Sequence, residues 1–491
     1  MLRFHRLAEK SHAVTRRLPL RAVRKRSLSI LVVGFAAIVL IRADIAPPVF
    51  ASPQGSPSAG PVVAKPATRL AGDPSLSSGV AGREAASSPL RPRNPLHPTK
   101  NGDPHLITVD LTHYNFQGGG EYVDLLGSDG LQIQTRQTPV QTSTVRLIND
   151  PYDGVASCVS LDTAFAAQVG THRVTFEPSI DGNPIASGME LRVDGVLQTL
   201  TSSGLSLSSG GRIVPSPVGS GIEVDFPDGA VAIVTMRLSV YGNLWVMDLS
   251  VFHTTAVAGL LGAVPAGTWL PSLPDGSTVG PMPSTIPQRY MELYQQFGDA
   301  WRVTNASSLF DYAPGTSTQT FTFPSWPLQS LPCRLPHSSE GPAKSGSKKI
   351  ANKFCAVVSD KTDHGDCVFD LTMIDLPELG DLYAISGQIE AGATQTLVRD
   401  KGGQPENGAK VVYKVSVSTL SDDGNIPTGT IQITVDGVNV GVPVPLDANG
   451  HAKWVSKNGV VDNLVANYLP TPGSMFLPSS GVDVTQTGTT Q

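Results

Sequence analysis

Charge is scarce in this chain: only 16% of its 491 residues are Asp, Glu, Lys or Arg, and only 6% are aromatic. Such a composition argues against a solvated, salt-bridge-laced helical protein. No sustained 3.6-residue apolar period appears before about residue 288. Four cysteines are too few for a disulfide-dense scaffold. Gly-x-Ser-x-Gly, His-Glu-x-x-His and Walker-type loops are all missing from the sequence, so it offers no sequence signature of a serine hydrolase, zinc protease or P-loop nucleotidase.

What is abundant is glycine and proline, 49 and 40 residues, as expected for strands joined by tight turns. The net charge of −5 hides an asymmetry. Residues 1–51 hold 10 of the 36 bases and 2 of the 41 acids, leaving 26 bases against 39 acids, a net of −13, over residues 52–491. That surface is unsuited to nucleic acid or anionic lipid, and neither is expected as a partner.

Residues 1–51 read as an export signal. Arg24-Lys25-Arg26 precedes fourteen apolar or small residues, Leu28–Ile41, and Val49-Phe50-Ala51 offers small or branched residues at a cleavage point before Ser52. The other reading is an uncleaved signal anchor, although a span needs about 20 residues. Contact with a membrane is expected only through this segment, and the remainder is expected to be secreted or displayed at the cell surface. Residues 52–101 are rich in Pro, Ser, Ala and Gly with no apolar period, and are expected to be a disordered linker.

From 102 onward the pattern is antiparallel β. Eight Asp-Gly pairs occur, several between alternating segments, which is a strong hairpin signal. "MELRV-DG-VLQTL" turns at Asp194-Gly195, "IEVDF-PDG-AVAIVTMRLSV" at Asp228-Gly229, and "GTIQITV-DG-VNVGVPVPL" at Asp436-Gly437. A short helix is expected through Tyr290, Leu293 and Phe297, ending at Gly298, and another in 351–380. Alternation returns from 386, with the rhythm of a small sandwich. The expected layout is mainly β: a domain over 102–316, a linker and cysteine-pair segment over 317–385, a β-sandwich over 386–481 and a flexible tail over 482–491. Cys355 and Cys367, with eleven residues between them in one segment of an exported chain, are the expected disulfide. Nothing in the sequence brings Cys158 to Cys333, and a bond between them is left open.

"GDPHLITVDLTHYNFQGGGEYV" (102–123) resembles the opening of a von Willebrand factor type D (VWFD) domain. The resemblance continues through "DGLQIQTRQTP" (129–139), "TAFAAQVGTHRVTF" (163–176), "AGLLG" (258–262) and "FGDAWRV…SLFDY" (297–312). "FCAVVSDKTDHGDCVFDLTM" (354–373) is similar to the cysteine-containing segment that follows this domain in bacterial members. "PTGTIQITVDG…PLDANGHA" (427–452) resembles bacterial Ig-like repeats. Two departures bear on function. Gly259-Leu260-Leu261-Gly262 stands where animal members have a thiol motif, so multimerisation through it is not expected. Asp110 matches one calcium ligand of the family, but the loop 263–269 offers no carboxylate, and calcium needs six to eight oxygens. No metal and no cofactor is therefore expected.

The resemblance also singles out Asp103, Pro104 and His105, because this tetrapeptide cleaves itself at Asp-Pro in some family members. The simpler reading is a turn: Pro104 fixes φ, Asp103 caps and His105 opens the first strand. His105 and His113 read as strand histidines, and Trp245, Trp301 and Trp454 as core. The expected function is non-enzymatic binding or adhesion toward an extracellular protein or glycan. The alternatives are self-processing at Asp103-Pro104 and a structural spacer.

Overall fold

Asp-Gly dipeptides supply the positive φ angles that tight hairpins need. Asp194 and Gly195 sit at φ 52° and 81°, and Asp436 and Gly437 at 49° and 77°. Around such turns the chain builds a mainly β, antiparallel structure. It is a computed structural model and describes residues 97–483 except 129, 141–157, 182–187, 240–243, 329–346, 375–376, 401–409, 422 and 458. The expected signal and anchor segment, the linker before 97, Cys333 and most of the C-terminal tail lie outside the described residues.

Fourteen strands form the first body. They are β1 Thr99–Asn101, β2 His105–Ile107, β3 His113–Asn115, β4 Gly120–Leu126, β5 Gln132–Val140, β6 Val159–Val169 and β7 His172–Pro178. Then follow β8 Met189–Val193, β9 Val196–Gln198, β10 Leu205–Ser206, β11 Arg212–Pro215, β12 Ser220–Asp225, β13 Val231–Ser239 and β14 Leu244–Phe252. One eight-stranded sheet runs β10-β11-β12-β13-β14-β1-β2-β3, and a six-stranded sheet runs β4 through β9 in chain order. Their inner faces share one core, with Leu106, Tyr122, Phe165, Val224, Val234 and Leu249 all buried in it. Helical residues complete it. Ile286–Tyr290 (α1) continues as a π-wound segment, Met291–Gly298, that buries Leu293 and Phe297. The expected helix is there, with wider winding than an α-helix.

The segment expected to be a linker with one short helix is a helical cap. It comprises α2 Lys348–Phe354, α3 Lys361–Ile374 and α4 Pro377–Gly392. Helix α4 runs through the boundary placed at 385/386. Its Ile385 and Ile389, four residues apart on one face, pack against Val231, Ile233 and Phe252. Strand β13 therefore buries both faces, Ala232 and Val234 inward and Val231 and Ile233 under the helix. Each such fully buried aliphatic side chain contributes roughly 1.5–3 kcal/mol. Cys355 and Cys367 are joined by a disulfide within a second apolar cluster that includes Leu371, Leu379 and Leu382.

The last body is a seven-stranded sandwich: β15 Thr394–Asp400, β16 Val411–Thr419, β17 Gly429–Val435, β18 Val438–Pro445, β19 His451–Ser456, β20 Leu464–Pro470 and β21 Ser479–Val482. Its sheets run β15-β16-β19 and β18-β17-β20-β21. The expected hairpin over 429–445 is present, and the strand after it crosses to the opposite sheet. Tyr413, Val415, Ile431, Ile433, Ala466 and Tyr468 fill the space between the sheets.

Candidate functional site

The segment Gly102-Asp103-Pro104 is the turn between β1 and β2, so a strand precedes it as well as follows it. Thr99–Asn101 belongs to the fold although the sequence places it in the linker. It pairs on one side with β14 and on the other with β2. The signal was hidden because Thr99, Lys100 and Asn101 are polar. The structure buries all three, and Lys100 is held by Asp124 at 2.9 Å and Asp162 at 3.1 Å.

The turn does not lie open to solvent, since Asp103 is 0% and His105 3% exposed. Gly102 adopts φ +62°, and a Cβ there would lie 2.0 Å from Asp370 Oδ2, so only glycine fits both the angle and the space. Its N–H donates to Asp248 Oδ1 at 2.9 Å, and the Asp103 N–H donates to Asp370 Oδ2 at 3.0 Å. Asp103 was expected to cap the turn through its own side chain, but that side chain points elsewhere. Its Oδ1 accepts from Gln117 Nε2 at 2.8 Å and meets His105 Nε2 at 3.0 Å. Its Oδ2 is buried with no hydrogen-bond partner.

Helix α3 supplies the opposing wall. Asp363, Asp366 and Asp370, spaced at i, i+3 and i+7, fall on its buried face. Asp370 Oδ1 lies 2.7 Å from His105 Nε2, and its Oδ2 accepts from the Tyr383 hydroxyl of α4 at 2.9 Å. On the other edge of the ring, His105 Nδ1 is 2.6 Å from Asn115 Oδ1 and 3.6 Å from Asp366 Oδ1. Asp366 Oδ2 is 2.9 Å from His113 Nε2. A cavity of about 360 Å³ reaches this side of His105, lined also by Asn115, Thr362, Gly365, Asp366 and Phe369.

Burial governs the protons here. It pushes the carboxyls of Asp103 and Asp370 up, Asp370 far above the usual range with the nearby Asp103 charge adding to the effect. Burial alone would lower His105, but the surrounding Asp366, Asp370 and Asp103 outweigh it and hold the imidazole well above its ordinary value. Desolvation also raises Asp248 to about 6, and raises Asp363 to about 7 with help from Asp360 and Asp366. Burial and the close packing of opposite charges together leave the imidazole and the Asp103 and Asp370 carboxyls all raised.

The structure brings Asp103, Pro104 and His105 together with His113, which reads in the sequence only as a strand histidine. Asp248, Asp366, Asp370, Gln117 and Tyr383 were missed. The acidic i, i+3, i+7 spacing in "DHGDCVFD" was the available signal, since an acidic stripe on a helix that must also bury Cys367 and Leu371 has to face something. Asp110 lies elsewhere, on the loop between β2 and β3, where its Oδ2 accepts the Val264 N–H at 2.9 Å. The loop expected to lack calcium ligands thus meets Asp110 with a backbone donor. Cys158 is disulfide-bonded as well. Among the described residues no helix is long and apolar enough to cross a membrane.

No protein-family profile matches the chain. Over 221 residues it is 29% identical to Sushi domain-containing protein 2 of Homo sapiens, a stretch covering 43% of this chain and 23% of that protein. The chain spans about a quarter of the length of that relative.

Proposed function

We propose that this chain is an exported, non-enzymatic binding protein, with a VWFD-like first body and an Ig-like C-terminal sandwich displayed beyond the N-terminal segment. The observation that carries this reading is the order of parts. A two-sheet body opened by Gly102-Asp103-Pro104-His105, a disulfide-closed helical segment and a seven-stranded sandwich follow one another, matching the run of sequence resemblances. The oxidised cysteines and the similarity to a Sushi domain-containing protein support an extracellular setting. The partner is an extracellular protein or glycan met by loops and sheet edges. Immobilised full chain should retain a surface component from cells sharing its environment. Retention that survives deletion of residues 394–483 assigns binding to the first body, and no retention from any such surface counts against the reading.

A second reading, compatible with the first, rests on the buried turn: the Asp103–Pro104 bond cuts itself. The Asp103 carboxyl can attack the Asp103 carbonyl carbon and form a cyclic anhydride. The C–N bond to Pro104 breaks, and the proton from the carboxyl passes through His105, 3.0 Å from Oδ1, to the departing proline nitrogen. Water then opens the anhydride and restores two carboxyls. Such a cut would not by itself release residues 104–491 from an N-terminal anchor. Strand β1 lies between β14 and β2, and Lys100 is pinned by Asp124 and Asp162, so residues 1–103 remain bound without a covalent link. The expected product is two fragments that co-elute under native conditions and separate in denaturant, the larger starting at Pro104. Asp103→Ala should stay intact.

A further inference from the structure

We propose that His105, His113 and Asp366 form a binding site for a divalent transition-metal ion of the zinc class, opening onto the cavity beside α3. Their ligand atoms lie within 4.8 Å of one another. His113 Nε2 is 2.9 Å from Asp366 Oδ2, and His105 Nδ1 is 3.6 Å from Asp366 Oδ1. A tetrahedral ion with bonds near 2.0–2.1 Å holds its ligands about 3.3 Å apart, so a cluster spanning up to 4.8 Å has to close by no more than about 1.5 Å. Two imidazoles and one carboxylate select zinc-class ions over calcium or magnesium, which prefer oxygen alone.

Three further observations point the same way. His105 Nε2 faces Asp370 Oδ1 at 2.7 Å, the carboxylate–histidine arrangement that fixes a tautomer and turns the other nitrogen toward a metal. The ligands come from two rigid elements, the β2–β3 hairpin and α3, so the site is held before any ion arrives. The cavity of about 360 Å³ gives an entry path and leaves room for water as a further ligand. Lys361 also lines that cavity, with Asp360, Asp363 and Asp366 close to it along the same stretch of chain. Binding exchanges the hydrogen bond from His105 Nδ1 to Asn115 Oδ1, 2.6 Å long, for a coordinate bond and releases the Nδ1 proton to solvent through the cavity. The other grouping, Asp103 with His105 and Asp370, is sealed from solvent and lacks a second imidazole.

The test is calorimetric titration of metal-free full chain with ZnCl2, repeated with Co2+ to read the visible spectrum of the bound ion. The expected result is a micromolar or tighter site whose Co2+ spectrum shows low coordination number. His113→Ala and Asp366→Asn should each weaken it at least about tenfold, while His451→Ala, on the exposed C-terminal sandwich, changes nothing. Should His113→Ala fail to fold by circular dichroism, the isosteric Asp366→Asn decides. No Zn2+ binding at ~100 μM, or binding that Asp366→Asn retains in full, overturns the proposal.

Discussion

In the first body, Lys100 is buried between Asp124 and Asp162, and Arg136 reaches Glu121 at 2.8 Å and Glu177 at 3.1 Å. In the C-terminal sandwich, the core between the sheets is aliphatic and aromatic, and Asp483 is the one buried charge among the described residues. Both bodies are made of the same alternating strands and Asp-Gly turns. The difference lies in what their interiors must satisfy. A dry sandwich needs only volume and alternation. A core with buried ions needs every partner in place, because removing one leaves the other charge stranded. The same contrast holds for the turns: Gly437 sits in open space at φ +77°, and Gly102 sits at +62° against Asp370 and Tyr383.

The sharpest way to break this contrast is at Lys100. Lys100→Ala strands Asp124 and Asp162 in the core and should cost roughly 3–5 kcal/mol, read by denaturant unfolding. Hydrogen exchange should place the loss in the first body and leave residues 394–483 protected. A cost below about 1 kcal/mol would mean that the buried ions are solvated in solution.

The two turn glycines give a smaller and paired effect. Gly437→Ala meets only the left-handed backbone penalty, about 1–2 kcal/mol. Gly102→Ala adds an overpacking cost of roughly 1–3 kcal/mol against Asp370 and Tyr383. Equal melting-point losses for the two variants would refute the close approach at Gly102.

At acidic pH the smallest effect is expected at Glu177, whose carboxyl burial raises from 4.5 to about 7, with Arg136 opposing. A raised carboxyl binds its proton more tightly in the folded state. Its contribution is therefore fully present below pH 4.5 and lost as pH rises through about 7. Glu177→Gln mimics the protonated form and should be near neutral at pH 4. It should flatten the stability–pH curve between about 4.5 and 7. An unchanged slope would show that Glu177 is ionised in the fold.

The strand grammar was legible in the sequence because alternation and Asp-Gly turns are local signals. They placed the hairpins at 194–195, 228–229 and 436–437. Strand β1 was not legible, since "TKN" carries no apolar residue and is buried only because Asp124, Asp162 and Thr135 come to Lys100 from other strands. Helix α4 was obscured because alternation was read from 386, although Ile385 and Ile389 keep helical spacing. Half of the candidate site could be read. Asp103, Pro104 and His105 stood out as a motif, but their partners lie more than 260 positions away on α3, and no local pattern encodes that meeting.

Of the two proposed readings, the second, in which the buried Gly102–His105 turn cuts itself, is open to the most direct test. The most direct measurement is intact mass of the purified full chain over days at neutral pH, taken in denaturant and under native conditions. Self-cleavage gives a growing pair of fragments with the larger beginning at Pro104, co-eluting natively and absent in Asp103→Ala. A chain that stays whole throughout would contradict it and leave the tetrapeptide as a structural turn.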